Sequence, residues 1–308
     1  MQRVITDFGA DHAFGLLPKK LQEHYGIVLS ASTVRAITEY HAGQIYQTEE
    51  RITDQRKSAG CKILIGEIDG SMIPIVKVDE KADDKRKNKT LQWKEARLCL
   101  VHKVGSTTPI FGATFSGTVA DAGKQLYDCA VQAGFGKGTK LHAVGDGATW
   151  IADQIDEQFG AQGSYLIDFY HICDYLAAAA KPCAPMNEKA WLDKQKDLLK
   201  QNDYQRVLDE LDAFLEADTI ESQNAPVRAC HRYIKNRPHQ LDYSAALAQG
   251  LPIGSGEIES AHRYIIQQRL KLPGAWWTPD NVDSMLALRV IRANNKWDEY
   301  WNQQRQAA

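Results

Sequence analysis

No apolar run in this 308-residue chain approaches the roughly 20 residues that span a bilayer, and no basic-then-apolar leader opens it. A soluble, cytoplasmic protein with no membrane partner is the expectation. Paired cysteines are missing too: Cys61, Cys99, Cys129, Cys173, Cys183 and Cys230 include no C-x-x-C, which argues against a zinc knuckle or a disulfide framework and for reduced, mostly buried thiols. The chain has no P-loop, dinucleotide fingerprint, nucleophile elbow or H-E-x-x-H, so the commonest nucleotide, hydrolase and zinc-peptidase signatures do not apply. Excess charge is lacking as well. With 37 Lys and Arg against 39 Asp and Glu, the net charge of −2 argues against a protein that coats DNA through bulk phosphate neutralisation.

What is present is 44% hydrophobic residues, enough to bury one large domain or two ordinary ones. Residues 1 to about 58 read as helical. Leu16, Leu17, Leu21 and Tyr25 precede Gly26, and the serines after it can cap a second helix, which is the outline of a helix-turn-helix and equally of a helical hairpin in a core. From 59 onward the pattern changes to strands. The expectation is a strand over 61–69, a hairpin turn at Gly70-Ser71, a strand over 72–78, and a third over 93–104. A helix over 120–132 ended by Gly134 and Gly136, a strand over 141–146, a helix over 150–159 and a strand over 164–168 complete the run. Three strands followed by helix, strand, helix, strand predict an α/β fold, a mixed five-stranded sheet with helices on its faces, across 59–171. Residues 172–250 read as an all-helical insertion with amphipathic patterns at 191–200 and 207–215. Residues 251–308 read as closing helices over 257–270 and 282–301.

Three acids stand where a two-metal nucleic-acid enzyme would use them. Asp69 and Asp146 end apolar runs and precede glycine, and Glu259 lies in the first turns of a helix. Two divalent ions about 4 Å apart need carboxylates fixed on rigid elements to clamp the attacking and leaving oxygens of a phosphodiester. Each acid also has a plainer reading: Asp69 as a turn residue, Asp146 as a turn or helix cap, Glu259 as a first-turn glutamate favoured by the helix dipole. Asp168-Phe169-Tyr170-His171 adds an Asp and a His three apart, able to orient a phosphate or assist proton transfer, or else a His bonded to nearby backbone. Arg263, Arg269 and Lys271 follow Glu259 at helical spacing, facing a phosphate or solvent. Trp150, Trp276 and Trp277 offer stacking faces for an unpaired base, or core packing. Lys81, Lys85, Arg86, Lys87, Lys89 and Lys94 form a basic stretch, either phosphate-tracking or a solvated hairpin loop.

Taken together, Glu67-Ile68-Asp69-Gly70-Ser71-Met72, Trp93-Lys94-Glu95, Val144-Gly145-Asp146-Gly147-Ala148-Thr149-Trp150-Ile151, Asp168-Phe169-Tyr170-His171, and Gly254-Ser255-Gly256-Glu257-Ile258-Glu259 leading into Gln268-Arg269-Leu270-Lys271 give the chain a family likeness. It resembles bacterial insertion-sequence transposases of the DDE type, the ISKra-type group most and Mutator-like transposases more distantly, from about residue 25 onward. The resemblance implies an RNase H-like catalytic domain with a helical insertion before the last acid. It also implies that Asp69, Asp146 and Glu259 hold two Mg²⁺, or Mn²⁺, with Asp168 and His171 as an auxiliary D-x-x-H motif. Glu257 rivals Glu259; the family places its acid just after the apolar residue, here Ile258. DNA, as element ends and target, and a second copy of the chain are the implied partners. Members carry more sequence ahead of the helix-turn-helix-like segment than this chain does. A stand-alone RNase H-like nuclease or resolvase, and a non-catalytic DNA-binding remnant, are the alternatives.

Overall fold

The computed structural model describes residues 1–48, 59–78 and 88–306. The chain forms two compact units, Met1–Thr139 with Gly256–Ala308, and Lys140–Ser255.

The first unit opens with three helices, α1 (Gln2–Asp11), α2 (Leu17–Tyr25) and α3 (Ala31–Thr48). Ile5, Leu17, Leu21 and Val34, one apolar stripe from each helix, close into a small core. Gly26 ends α2 in the left-handed conformation, and the Ser30 hydroxyl accepts the Thr33 N–H at 3.1 Å, the serine cap expected for α3. The two helices of the helix-turn-helix outline therefore exist. α3 turns its other face, through His41, Ala42 and Ile45, into the core.

Strand β1 (Ile63–Val78) runs antiparallel to β2 (Lys89–Lys103), which pairs antiparallel with β3 (Ile110–Thr114). The turn expected at Gly70-Ser71 is absent: β1 runs straight through it, and Gly70 pairs with Arg97. Gly70 serves a close approach instead of a bend. A β-carbon on it would lie 2.6 Å from Glu95 Cδ and nearer still to Oε1, so the end of that side chain fills the space a larger residue would take. Asp69 accordingly sits in mid-strand, not at a strand end. Lys81, Lys85, Arg86 and Lys87 lie outside the described residues. Lys89 and Lys94 are exposed on β2, the latter with its ammonium 4.3 Å from the Phe115 ring centre.

Helix α4 (Val119–Ala133) follows, capped by Thr118 and Asp121 in a reciprocal capping box and ended by Gly134. It packs on β2 and β3, where Cys99 and Cys129 lie 3.9 Å apart as free thiols.

In the second unit, β4 (Lys140–Gly145) leads through α5 (Thr149–Phe159) to β5 (Gly163–Ile167), and the two strands pair in parallel. Both are nearly all buried on their apolar positions, as a helix-covered parallel pair requires. After β5 the strands stop. α6 (Phe169–Cys183), α7 (Glu188–Lys200), α8 (Tyr204–Asp212), α9 (Pro226–Lys235) and α10 (Tyr243–Ala248) follow, with α6 packed on α7 and α9.

The closing segment belongs to the first unit. α11 (Gly256–Ala261) continues through a π-helical turn, His262–Gln267, into α12 (Gln268–Leu270). The single helix expected over 282–301 is two, α13 (Pro279–Ala293) and α14 (Trp297–Gln306), because Asn295 adopts a positive φ of 58°. α13 carries Met285, Leu286 and Leu288 into the core with Leu98, Leu100 and Phe111 of the strands. The chain is thus α/β. Its described strands number five, three antiparallel and two parallel. The expected count holds with a different membership: 61–69 and 72–78 are one strand, and Ile110–Thr114 is the strand the pattern does not announce. No described helix is long and apolar enough to cross a membrane.

Candidate functional site

In the first unit, strand alternation puts Glu67 and Asp69 on one face of β1. Glu67 is buried, at 1% exposure, and its Oε2 accepts the Ile258 N–H at 2.7 Å. That N–H belongs to the first turn of α11, where unpaired amides and the helix dipole favour a carboxylate. Two residues on, Asp69 is partly open to solvent. One of its oxygens accepts the Gly70 N–H at 2.7 Å, and the other lies 3.3 Å from His262 Nε2. His262 is buried, and among the described residues neither of its ring nitrogens has a hydrogen-bond partner. The helix that begins against Glu67 therefore comes back to β1 at Asp69.

Glu259 is exposed and sits one turn before His262, close to the same helical face. Glu257 points elsewhere: its carboxylate is 3.2 Å from His102 Nε2, and His102 pairs with Ile65, four residues from Asp69 along β1. The other sequence candidates in this unit divide sharply. Arg263 and Trp276 are exposed. Arg269 is only 1% exposed; its Nε donates to the Gly9 carbonyl at 3.0 Å, and its guanidinium lies 4.6 Å from the ring centres of both Phe14 and Trp277. Burial lowers its pKa to about 10, with the neighbouring Arg289 charge adding to the effect. Arg269 and the buried Trp277 are core residues, unavailable to a phosphate or a base.

In the second unit, Asp146 follows the last residue of β4, and its Oδ1 accepts the Ala148 N–H at 2.9 Å, closing an Asx turn ahead of α5. Three side chains fasten this turn. The Tyr165 hydroxyl accepts the Gly147 N–H at 2.9 Å, the Tyr233 hydroxyl donates to the Asp146 carbonyl at 2.6 Å, and Arg237 Nε donates to the Gly147 carbonyl at 3.0 Å. Burial pushes the Tyr233 phenol far above its ordinary pKa, which keeps it a neutral donor.

Asp168 and His171 part company. Asp168 is buried, with one oxygen accepting the Tyr170 and His171 N–H groups at 2.6 and 3.2 Å as the cap of α6, and the other accepting the Ser255 N–H and hydroxyl at 2.7 and 2.6 Å. Four hydrogen bonds occupy its carboxylate. His171 is half-buried and shares with Asp146 a cavity of about 350 Å³, also lined by Tyr175, Arg232, Tyr233 and Arg237. The structure brings Asp146 and His171 together, and gives Asp168 to the Ser255 turn. Arg232, Tyr233 and Arg237 of the helical insertion carry no sequence signature beyond a basic amphipathic helix, and Glu67 is marked only as a charge inside an apolar run.

Among the described residues, no three His, Cys, Asp or Glu side chains gather as a metal-ligating group. No curated protein matches the chain. The chain belongs to the Uncharacterised protein family (UPF0236), whose model matches residues 135–305.

Proposed function

We propose that this chain is a DDE-type DNA transposase with an RNase H-like catalytic domain, which cuts the ends of an insertion sequence and joins them to target DNA. The observation that carries the reading is the corner made by β1 and α11. Asp69 lies in mid-strand, two residues from the glutamate that anchors α11, and the same helix returns to Asp69 at His262, one turn after Glu259. The strand grammar supports the RNase H-like assignment: three antiparallel strands, then helix, strand, helix, strand with the last pair parallel. Glu259 is favoured over Glu257 as the third acid, because it lies one turn before His262, which approaches Asp69, whereas the Glu257 carboxylate lies 3.2 Å from His102.

The reaction is two successive exchanges at phosphorus without a covalent enzyme intermediate. Water breaks the bond to the 3′-oxygen at the element end, and the freed 3′-hydroxyl then attacks a target phosphodiester, displacing a target 3′-oxygen. Carboxylates are the ligands that Mg²⁺ or Mn²⁺ prefers, and two such ions are the proposed cofactor of Asp69, Asp146 and Glu259. Asp69 and Glu259 are carried by the first unit and Asp146 by the second. Pairing two element ends calls for at least two copies of the chain.

The test is cleavage of DNA carrying the element's flanking ends, in Mg²⁺ and Mn²⁺, by wild type, Asp69→Asn, Asp146→Asn and Glu259→Gln. Metal-dependent nicks and strand-transfer products in the wild type only, with DNA binding retained by all four, are expected. Cleavage by Asp69→Asn or Asp146→Asn at the wild-type rate sinks the assignment. The arginine-lined cavity beside Asp146 serves equally a second reading, a DNA-binding protein without catalysis, which predicts DNA binding and no metal-dependent product from any of the four.

A further inference from the structure

We propose that the cavity beside Asp146 binds the phosphodiester backbone of a single nucleic-acid strand, with Arg232 of α9 and Arg237, two residues past its end, as the anion contacts. The inference rests on the reading of the chain as an enzyme acting on DNA and names what the helical insertion contributes to it.

At about 350 Å³ the cavity is at the small end of ligand sites, sized for a phosphate and its adjoining sugar and too small for a duplex. Its fixed charge is net positive. Arg232 and Arg237 line it against one carboxylate, Asp146. Arg237 is anchored: Nε bonds the Gly147 carbonyl, Nη1 bonds the Tyr233 carbonyl at 3.2 Å, and the guanidinium lies 4.4 Å from the Tyr233 ring centre. A planar guanidinium carries five N–H donors, so an anchored Arg237 still has donors for a phosphate and loses little entropy in giving them. Arg232 is exposed at the cavity with no ion pair or side-chain hydrogen bond among the described residues. Two arginines at one cavity, neither in an ion pair with a carboxylate among the described residues, are what an anionic ligand needs.

The rings argue for the backbone and against base reading. One stacking contact of Tyr233 is Tyr175, 4.3 Å away and 18° from parallel, and the other is Arg237. Tyr233 is thus already engaged on both faces, and a base cannot stack on it. The pocket therefore holds a strand without regard to sequence, as electrostatic grooves for single strands do.

The test uses the full chain without divalent ions, so that cleavage and metal binding do not enter. Binding of fluorescein-labelled oligothymidylate and oligoadenylate is followed by anisotropy across a salt series. Arg232→Gln should bind both more weakly and flatten the slope of log K against log salt by about 0.7, the loss of one single-strand phosphate contact. Lys189→Gln, on α7 and away from the cavity, should leave the slope unchanged. A wild-type slope in Arg232→Gln, or no oligonucleotide binding by the wild type, overturns the proposal. So does inorganic phosphate that binds in an Arg232-dependent way while oligonucleotide binding ignores the substitution. If the wild type cuts element ends but Arg232→Gln keeps its slope, the pocket falls and the transposase reading stands. An Arg232-dependent slope in a protein that cuts no DNA with any divalent ion gives the reverse.

Discussion

Glu67 accepts the backbone N–H of Ile258 at 2.7 Å, joining a strand to a helix that is 191 residues away along the chain. Asp69, the first of the proposed acids, lies two residues along the same face. Glu67→Gln keeps an acceptor and loses the charge that the helix dipole favours, and should cost about 1 kcal/mol. Glu67→Ala leaves the amide unpaired in a cavity and should cost about 3 kcal/mol. Urea melts of the three proteins check the order; equal stability of the Ala variant and wild type contradicts it.

Arg269 offers a sharper separation of core from site. Arg269→Met should stay within about 1 kcal/mol of wild type, since a buried charge is exchanged for apolar volume, while Arg269→Ala should lose about 3 kcal/mol. Because the guanidinium faces Phe14 and Trp277, DNA affinity measured on folded Arg269→Met should equal that of the wild type. A lowered salt slope in that variant would return Arg269 to the substrate.

Gly9 and Thr38 set the distance between α1 and α3. A β-carbon on Gly9 would sit 2.7 Å from Thr38 Cγ2, 2.9 Å from its Cβ, and nearer still to Oγ1. Thr38 is fully buried and stiff at χ1, so it cannot swing away. Gly9→Ala should therefore destabilise by about 2 kcal/mol. Adding Thr38→Ala removes two of the three close atoms and should recover part of the loss. A double-mutant cycle reads the coupling, and strict additivity would rule out the clash.

Two groups of the first unit give its stability a predictable pH dependence. Burial lowers the pKa of His41 below 6.5; its Nδ1 is 2.7 Å from the Tyr300 hydroxyl and its Nε2 is 3.0 Å from Gln2 Oε1. A neutral folded histidine is outcompeted for protons by the unfolded chain, so its contribution is complete above about pH 6.5 and is lost as pH falls below it. For Asp11, burial alone would raise the pKa, but hydrogen bonds and charge from Arg292 and Arg289 outweigh it and hold the carboxyl below 3.8. Its contribution is present above that value and lost as pH falls through the lowered one. Thermal melts from about pH 7 to about pH 5 should fall for the wild type and fall less for His41→Gln. Asp11→Asn should flatten the curve only in stronger acid. A His41→Gln curve parallel to wild type contradicts the first assignment.

The two strands of the second unit and the helix between them are legible in the sequence because their apolar runs are bounded by glycines and the helix has a regular amphipathic face. Residues 141–146, 150–159 and 164–168 are each matched within a residue or so. Gly70-Ser71 misleads because a glycine that admits Glu95 across the strand looks like a glycine that turns the chain. Ile110–Thr114 is five residues with Gly112 at its centre, too short to show alternation. Arg269 does follow a visible rule: Ile258, Ala261, Ile265 and Ile266 put its position on the apolar stripe. Chemical type wins over position in a quick reading of such a residue. Asp69, Asp146 and His171 are legible as candidates because short polar residues at apolar boundaries stand out. Their neighbours His262, Arg232 and Arg237 are supplied by distant segments, and one sequence cannot say which segments meet.

The first unit is discontinuous, and that has a consequence for synthesis. Ala42 and Ile45 of α3 are buried with Leu286 and Trp301, which the ribosome makes last. The second unit, an unbroken stretch from 140 to 255, can fold as it emerges, while the N-terminal helices and three strands wait with their apolar faces uncovered. Nascent chains halted before α13 should accordingly be the form of this protein most dependent on chaperones.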